Sequence, residues 1–170
     1  PRQATAIIAY ICNALDYAHK QSVVHRDIKP GNVMLLEDGK PKIMDFGITK
    51  MISSDATQTA AIMGTPSYMS PEQVDLEKVD GRSDLFSVGA MFYEMLCAQR
   101  PFTGPNITAI LKKITTEDPT PLEQVNPRIH PTLAAVVMRL LAKEPDDRYQ
   151  SGGEVVAELK RLIEDPSIWK

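Results

Sequence analysis

A chain of 170 residues, 43% hydrophobic and 24% charged, is expected to form one domain around a single core. Its formal net charge of −3 excludes a general attraction to nucleic acid or to an anionic membrane surface. No apolar run reaches the roughly 18 residues of a membrane span, no signal-peptide pattern opens the chain, and two cysteines make a poor disulfide framework, which favours a reducing, cytoplasmic setting.

In chain order, Ala4, Ile7, Ile8, Ile11, Leu15 and Ala18 recur at helical spacing and predict an amphipathic helix over 3–20, with Cys12 as a small core residue. Two short β-type runs follow, Val33–Leu36 and Lys42–Met44, joined by a turn with Asp38-Gly39 at its centre. Residues 48–68 are rich in Ser, Thr and Ala without periodicity and predict a long loop, a feature that is uncommon in a compact domain and often functional. From Ser83 to Ala98, a stretch that includes Cys97, apolar residues fall on nearly every side, which predicts a helix in the middle of the core. Further helices are predicted over Asn106–Thr115, over Pro131–Ala142 with Pro131 in its first turn, and from Ser151, where Ser-Gly-Gly-Glu has the capping-box pattern. The pattern is mainly α with a small β-hairpin inserted early and no internal repeat.

The chemistry-bearing residues are concentrated in two places. Asp27, Lys29 and Asn32 stand in "HRDIKPGN" just before the first β run, and Asp45 stands 18 residues beyond Asp27, directly after the second, followed by Phe46 and Gly47. Alone, Asp-x-Lys-x-x-Asn would serve as a solvated turn whose Asp and Asn cap local backbone groups. Together with Asp45 the set suits phosphoryl transfer, which needs metal ions clamped between phosphates and a group to orient and accept the proton of the attacking hydroxyl. Asn32 and Asp45 offer the hard oxygen ligands that Mg²⁺ prefers, Asp27 is left for the proton, and Lys29 can hold the transferred phosphate as a point charge.

"HRDIKPGN", "DFG" and "SPE", in that order, resemble the catalytic loop, metal loop and activation-segment end of protein kinases. Residues 80–102 resemble the central buried helix of that family, and "LAKEPDDRYQS", residues 141–151, its late Arg-containing segment, so the resemblance runs over essentially the whole chain. It implies Asp27 as catalytic base, Lys29 as phosphate contact, and Asn32 and Asp45 as ligands of Mg²⁺, or alternatively Mn²⁺, carried with ATP. It also implies that His25 packs on Phe46, that Asp84 anchors the catalytic loop from the central helix, and that Glu72 and Arg148 form a buried ion pair. Val33, Met34 and Leu35 would lie under the adenine, supported by Met91 and Met95, with Met44 a second methionine near nucleotide. Lys29 with Thr65 in "GTP" resembles serine/threonine rather than tyrosine kinases, and "KPGNVM", "TQTAAIMGT" and "SPEQ" are most similar to bacterial eukaryotic-type members. Thr65 is expected to contact Asp27 and Lys29. Arg26, a buried-prone cation immediately before the base, lacks an obvious acidic partner in the adjacent sequence other than the base itself, and the resemblance implies a switch by loop phosphorylation, with Thr57 and Thr59 the expected sites and Ser53 and Ser54 weaker ones.

The departures are as informative. No G-x-G-x-x-G and no V-A-I-K-like stretch occurs, so residues 1–170 are expected to be the large, C-terminal lobe alone, inactive in isolation and dependent on its own N-terminal lobe. Ser70 replaces Ala in A-P-E, Ile28 replaces Leu, and Phe86 stands where the family often has Trp; none removes a catalytic group. The expected partners are ATP and proteins carrying Ser or Thr hydroxyls, with no nucleic acid and no direct membrane contact from this segment, although the parent could be membrane-anchored. An alternative is a non-catalytic pseudokinase or scaffold lobe used for docking; the intact Asp27, Asn32 and Asp45 favour the catalyst.

Overall fold

The computed structural model describes residues 1–46 and 66–169. Among these the architecture is mainly α, with one two-stranded sheet. Helix α1 (Arg2–Lys20) buries Ile8, Ile11, Cys12, Leu15 and Ala18, the stripe its periodicity demands. Strands β1 (Val33–Leu35) and β2 (Pro41–Ile43) form an antiparallel hairpin in which Val33 faces Ile43 and Leu35 faces Pro41. The Leu36 N–H closes on the Lys40 carbonyl at 2.9 Å, and Gly39 adopts φ +77°, a left-handed angle that costs glycine no steric strain.

After a 3₁₀ turn (Pro66–Tyr68) come α2 (Pro71–Val74) and α3 (Gly81–Cys97). Helix α3 is buried continuously from Ser83 to Tyr93, so it runs through the core as its all-round apolarity requires. Helices α4 (Ile107–Thr116), α5 (Leu122–Val125), α6 (Pro131–Leu140) and α7 (Gly152–Glu164) complete the fold. Helices α1 and α6 pack on α3, α7 packs on α1, and β2 rests on α1, which sets the hairpin beside the core.

Two short helices were unforeseen, and one expectation is corrected. Helices α2 and α5, of four residues each, were not foreseen, because one turn is too short for periodicity to register. At α7 the cap is half a capping box: Ser151 accepts the Glu154 N–H, but the Glu154 carboxylate takes the Gln150 N–H at 3.0 Å and leaves the Ser151 N–H aside. The reciprocal box occurs at α2 instead, between Ser70 and Gln73, with Pro71 in the first turn. Helix α7 also approaches α1 so closely that a Cβ on Gly152 would lie 2.3 Å from the Cys12 carbonyl oxygen, so only glycine fits.

Lys143 closes the C-terminus of α4 from outside that helix. Its ammonium donates to the Ile114 carbonyl at 2.7 Å and lies 4.1 Å from the centre of the Phe102 ring. Burial pushes the amine down from 10.5 to about 8, against an opposing pull from Asp118. Between those values the unfolded chain holds a proton that the folded chain has released, so this contribution to stability is complete above about 10.5 and fades as pH falls through 8. Urea unfolding of wild type and Lys143→Met should therefore show the stability difference shifting in favour of wild type from pH 8 to 10; a flat difference would refute it.

Candidate active site

The loop between α1 and β1 is held by contacts from distant parts of the chain. His25 is fully buried. Its Nδ1 accepts the Asp27 N–H at 3.2 Å and its Nε2 donates to the Met44 carbonyl at 2.9 Å, a pairing that places the ring hydrogen on Nε2. The ring packs against Phe46, with centroids 4.8 Å apart at 57°. One imidazole thus joins the backbone of the loop to the segment that carries Asp45.

Asp84, in the first turn of α3 and 1% exposed, supplies the second anchor. Its Oδ1 accepts the Arg26 N–H and its Oδ2 the His25 N–H, both at 2.8 Å. The first turn of a long helix is where a buried carboxylate is favoured, because the free N–H groups there carry partial positive charge. The anchor is needed: Arg26 sits at φ +67°, a left-handed angle that costs a residue with a Cβ roughly 1–2 kcal/mol.

Inside the loop so held, Asp27, Lys29 and Asn32 meet. The Asp27 Oδ2 accepts from the Lys29 ammonium at 2.9 Å and from the Asn32 amide at 3.0 Å, and the same amide donates to the Asp27 carbonyl at 2.7 Å. Neither the Asp27 Oδ1 nor the Asn32 Oδ1 is hydrogen-bonded among the described residues. The Asn32 carbonyl accepts the Met44 N–H at 2.9 Å, which sets the exposed Asp45 in the chain next to Asn32's partner. Asp45 itself has φ +53°, a left-handed angle, and Gly47 lies outside the described residues. The donors presented are hard oxygens, and no group of three or more His, Cys, Asp or Glu suited to a metal exists among the described residues. That set fits Mg²⁺, which takes one or two protein oxygens and completes its shell with water and phosphate.

Val33 is half-buried, whereas Met34 and Leu35 are 47% and 54% exposed; side chains alternate along a strand, so Met34 faces away from Val33 and Leu35 and the three do not share the face expected under the adenine. Met91 is buried in α3, but Met95 is 40% exposed at the far end of that helix, and α3 packs mainly on α1, α6 and the Pro66–Tyr68 turn rather than on β1. A support by Met95 for this face is therefore not what the structure contains. Arg26, expected as a buried-prone cation, is exposed, and its guanidinium has no ion pair among the described residues. Thr57, Thr59 and Thr65, with Ser53 and Ser54, lie outside the described residues.

Glu72 and Arg148 meet across 76 residues of sequence with two bonds of 2.7 and 2.8 Å. Arg148 is fully buried, and its remaining N–H groups go to the carbonyls of Ala142, Arg82 and Lys143, so all five donors are engaged. Burial works to raise the Glu72 carboxyl, but hydrogen bonds from Arg148 and Ser83 outweigh it and hold the group below its ordinary range.

Two residues of this neighbourhood went unrecognised in the sequence. The His19 Nε2–H donates to the Asp84 Oδ2 at 2.8 Å. The signal was present: position 19 continues the stripe of Ile8, Ile11 and Leu15, and a polar group there needs a partner. Gln73, within "SPEQ", is the other, and its capping-box spacing was the available cue.

Residues 1–159 match the family profile described as protein kinase domain. The chain is 43% identical over 167 residues to the serine/threonine-protein kinase PknB of Mycolicibacterium smegmatis, covering 96% of this chain and 27% of that protein. It is 43% identical over 164 residues to PknB of Mycobacterium leprae, covering 95% of this chain and 26% of the relative. Against PknB of Mycobacterium tuberculosis H37Rv the identity is 41% over 165 residues, with 95% and 26% covered. The chain thus spans about a quarter of the length of the curated relatives it matches.

Proposed function

The chain belongs to the protein kinase family, and from that premise we propose that residues 1–170 are the C-terminal lobe of a serine/threonine kinase that works with its own N-terminal lobe. The observation that carries the reading is the Asp27 carboxylate, steadied on one oxygen by Lys29 and Asn32 and, among the described residues, free on the other.

In this reading the substrate is the γ-phosphoryl group of ATP, and the acceptor a Ser or Thr hydroxyl of a protein. The free Asp27 oxygen accepts the hydroxyl proton as the new P–O bond forms, and ADP departs with the electrons of the broken bond. Lys29 lies against the same carboxylate and neutralises charge on the phosphoryl oxygens. Asn32 and Asp45 would hold Mg²⁺, which when bound supplies charge neutralisation between the phosphates. The exposed Met34 is the residue of β1 assigned to the adenine face, Val33 and Leu35 alternating to the other side of the strand. That the matched relatives are serine/threonine-protein kinases supports the Ser/Thr acceptor. No helix among the described residues is long and apolar enough to cross a membrane, and we place this segment in the cytoplasm, with any anchor of the parent elsewhere.

Phosphorylation of Thr57 and Thr59 is proposed as the switch. A phosphothreonine brings about −1.5 to −2 charge, and the exposed Arg26 beside the base, without an ion pair among the described residues, is a cation with the fork geometry to receive it. Mass spectrometry of the full-length protein after incubation with ATP should find phosphate on one or both threonines, and Thr57→Ala/Thr59→Ala should lose most of its turnover. Unmodified threonines, or a fully active double variant, would place the switch elsewhere.

A further inference from the structure

Gln73 makes two hydrogen bonds of opposite sense. Its Oε1 accepts the Ser70 N–H at 3.0 Å, the return half of the capping box of α2. Its Nε2 donates to the Arg26 carbonyl at 2.8 Å, across 47 residues of sequence. Exchanging the amide oxygen and nitrogen would set donor against donor and acceptor against acceptor, so the two bonds together fix the orientation.

The second bond acts on a critical peptide. The carbonyl it grips belongs to the peptide that joins Arg26 to Asp27, and the N–H at the other end of that peptide goes to the His25 Nδ1 at 3.2 Å. A peptide group is planar, so holding its oxygen and its hydrogen fixes the plane from which the Asp27 side chain departs. Arg26 is at φ +67°, and its own N–H is taken by the Asp84 Oδ1, so without these partners the loop would relax toward a less strained backbone. The anchor at the far end is firm: the residue before Gln73 is Glu72, locked to the fully buried Arg148.

We infer that Gln73 is a positioning residue for phosphoryl transfer, tying the start of α2 to the peptide that carries Asp27. The inference rests on the reading of Asp27 as the base. It explains why an amide suits this position: only a side chain that accepts from Ser70 and donates to Arg26 completes both bonds. Glutamate would keep the cap and lose the tether; methionine would lose both. The tether lies at the surface, where one neutral hydrogen bond contributes little to stability. Its loss should therefore appear in turnover rather than in melting.

The test compares Gln73→Glu, Gln73→Met and Asp27→Asn in the full-length protein, measuring kcat, KM for Mg·ATP and melting temperature. Gln73→Glu should melt like wild type, keep its KM for Mg·ATP and lose kcat by about 10-fold or more, the scale of a misoriented catalytic group. Gln73→Met should lose kcat to a similar extent and also melt lower. Wild-type kcat in Gln73→Glu, with loss only in Gln73→Met, would show that Gln73 acts through the cap alone and overturn the inference. Full turnover in Asp27→Asn would instead overturn the base assignment.

Discussion

Asp27→Asn and Asp45→Asn should both abolish useful turnover, and for different reasons. The asparagine at 27 keeps a side-chain oxygen for Lys29 and Asn32 to hold, so the loop geometry survives, but it has no basic oxygen to take the hydroxyl proton. Removing such a group costs about 10²–10⁴-fold in rate, and Mg·ATP affinity should stay close to wild type. In the proposed function Asp45 offers its carboxylate to the metal, from an exposed, left-handed position next to the Met44–Asn32 hydrogen bond. Its replacement should weaken nucleotide binding in the presence of Mg²⁺ and leave the metal-free affinity unchanged. Calorimetric titration of ATP with and without Mg²⁺ separates the two; equal Mg·ATP affinity in both variants would contradict the assignment.

Arg148→Ala should be the most damaging change to the fold. It removes five hydrogen bonds, leaves the buried Glu72 carboxylate facing a void, and strips the cation that lies 5.0 Å from the Phe86 ring. Breaking one side of a buried pair costs about 3–5 kcal/mol, because the surviving charge is stranded. For a domain of this size each kcal/mol lowers the melting temperature by about 2–4 °C, so a fall of roughly 6–20 °C is expected. Arg161→Ala is the control: that side chain is 71% exposed, is paired with Glu158 alone among the described residues, and should shift stability by less than about 1 kcal/mol. Thermal unfolding of the two variants decides; equal shifts would mean that the Glu72–Arg148 pair does not tie α2 to the later helices.

What could be read from the sequence follows the range of the interactions. Helix α1 and the buried α3 were legible because burial imposes a period, and the hairpin because Asp38-Gly39 marks a turn that only glycine makes without strain. The cluster of Asp27, Lys29 and Asn32 was legible because its members stand within six residues of one another and the loop merely folds back on itself. Contacts between distant segments have no local signature. Asp84 with Arg26 and His25, and Glu72 with Arg148, were anticipated only through family resemblance, whereas His19 and Gln73, equally placed to act on the loop, had no such guide. Met95 shows the converse error: an apolar residue at the right period reads as core, yet the end of α3 carries it out to solvent.

The central claim is that this site moves the γ-phosphoryl group of ATP onto Ser and Thr hydroxyls. The most direct test is to incubate the full-length protein with γ-labelled ATP, Mg²⁺ and a generic protein substrate, then identify the labelled amino acids. Phosphoserine and phosphothreonine are expected, with no phosphotyrosine and no label with Asp27→Asn. A folded protein that binds Mg·ATP and transfers nothing to either hydroxyl would contradict it.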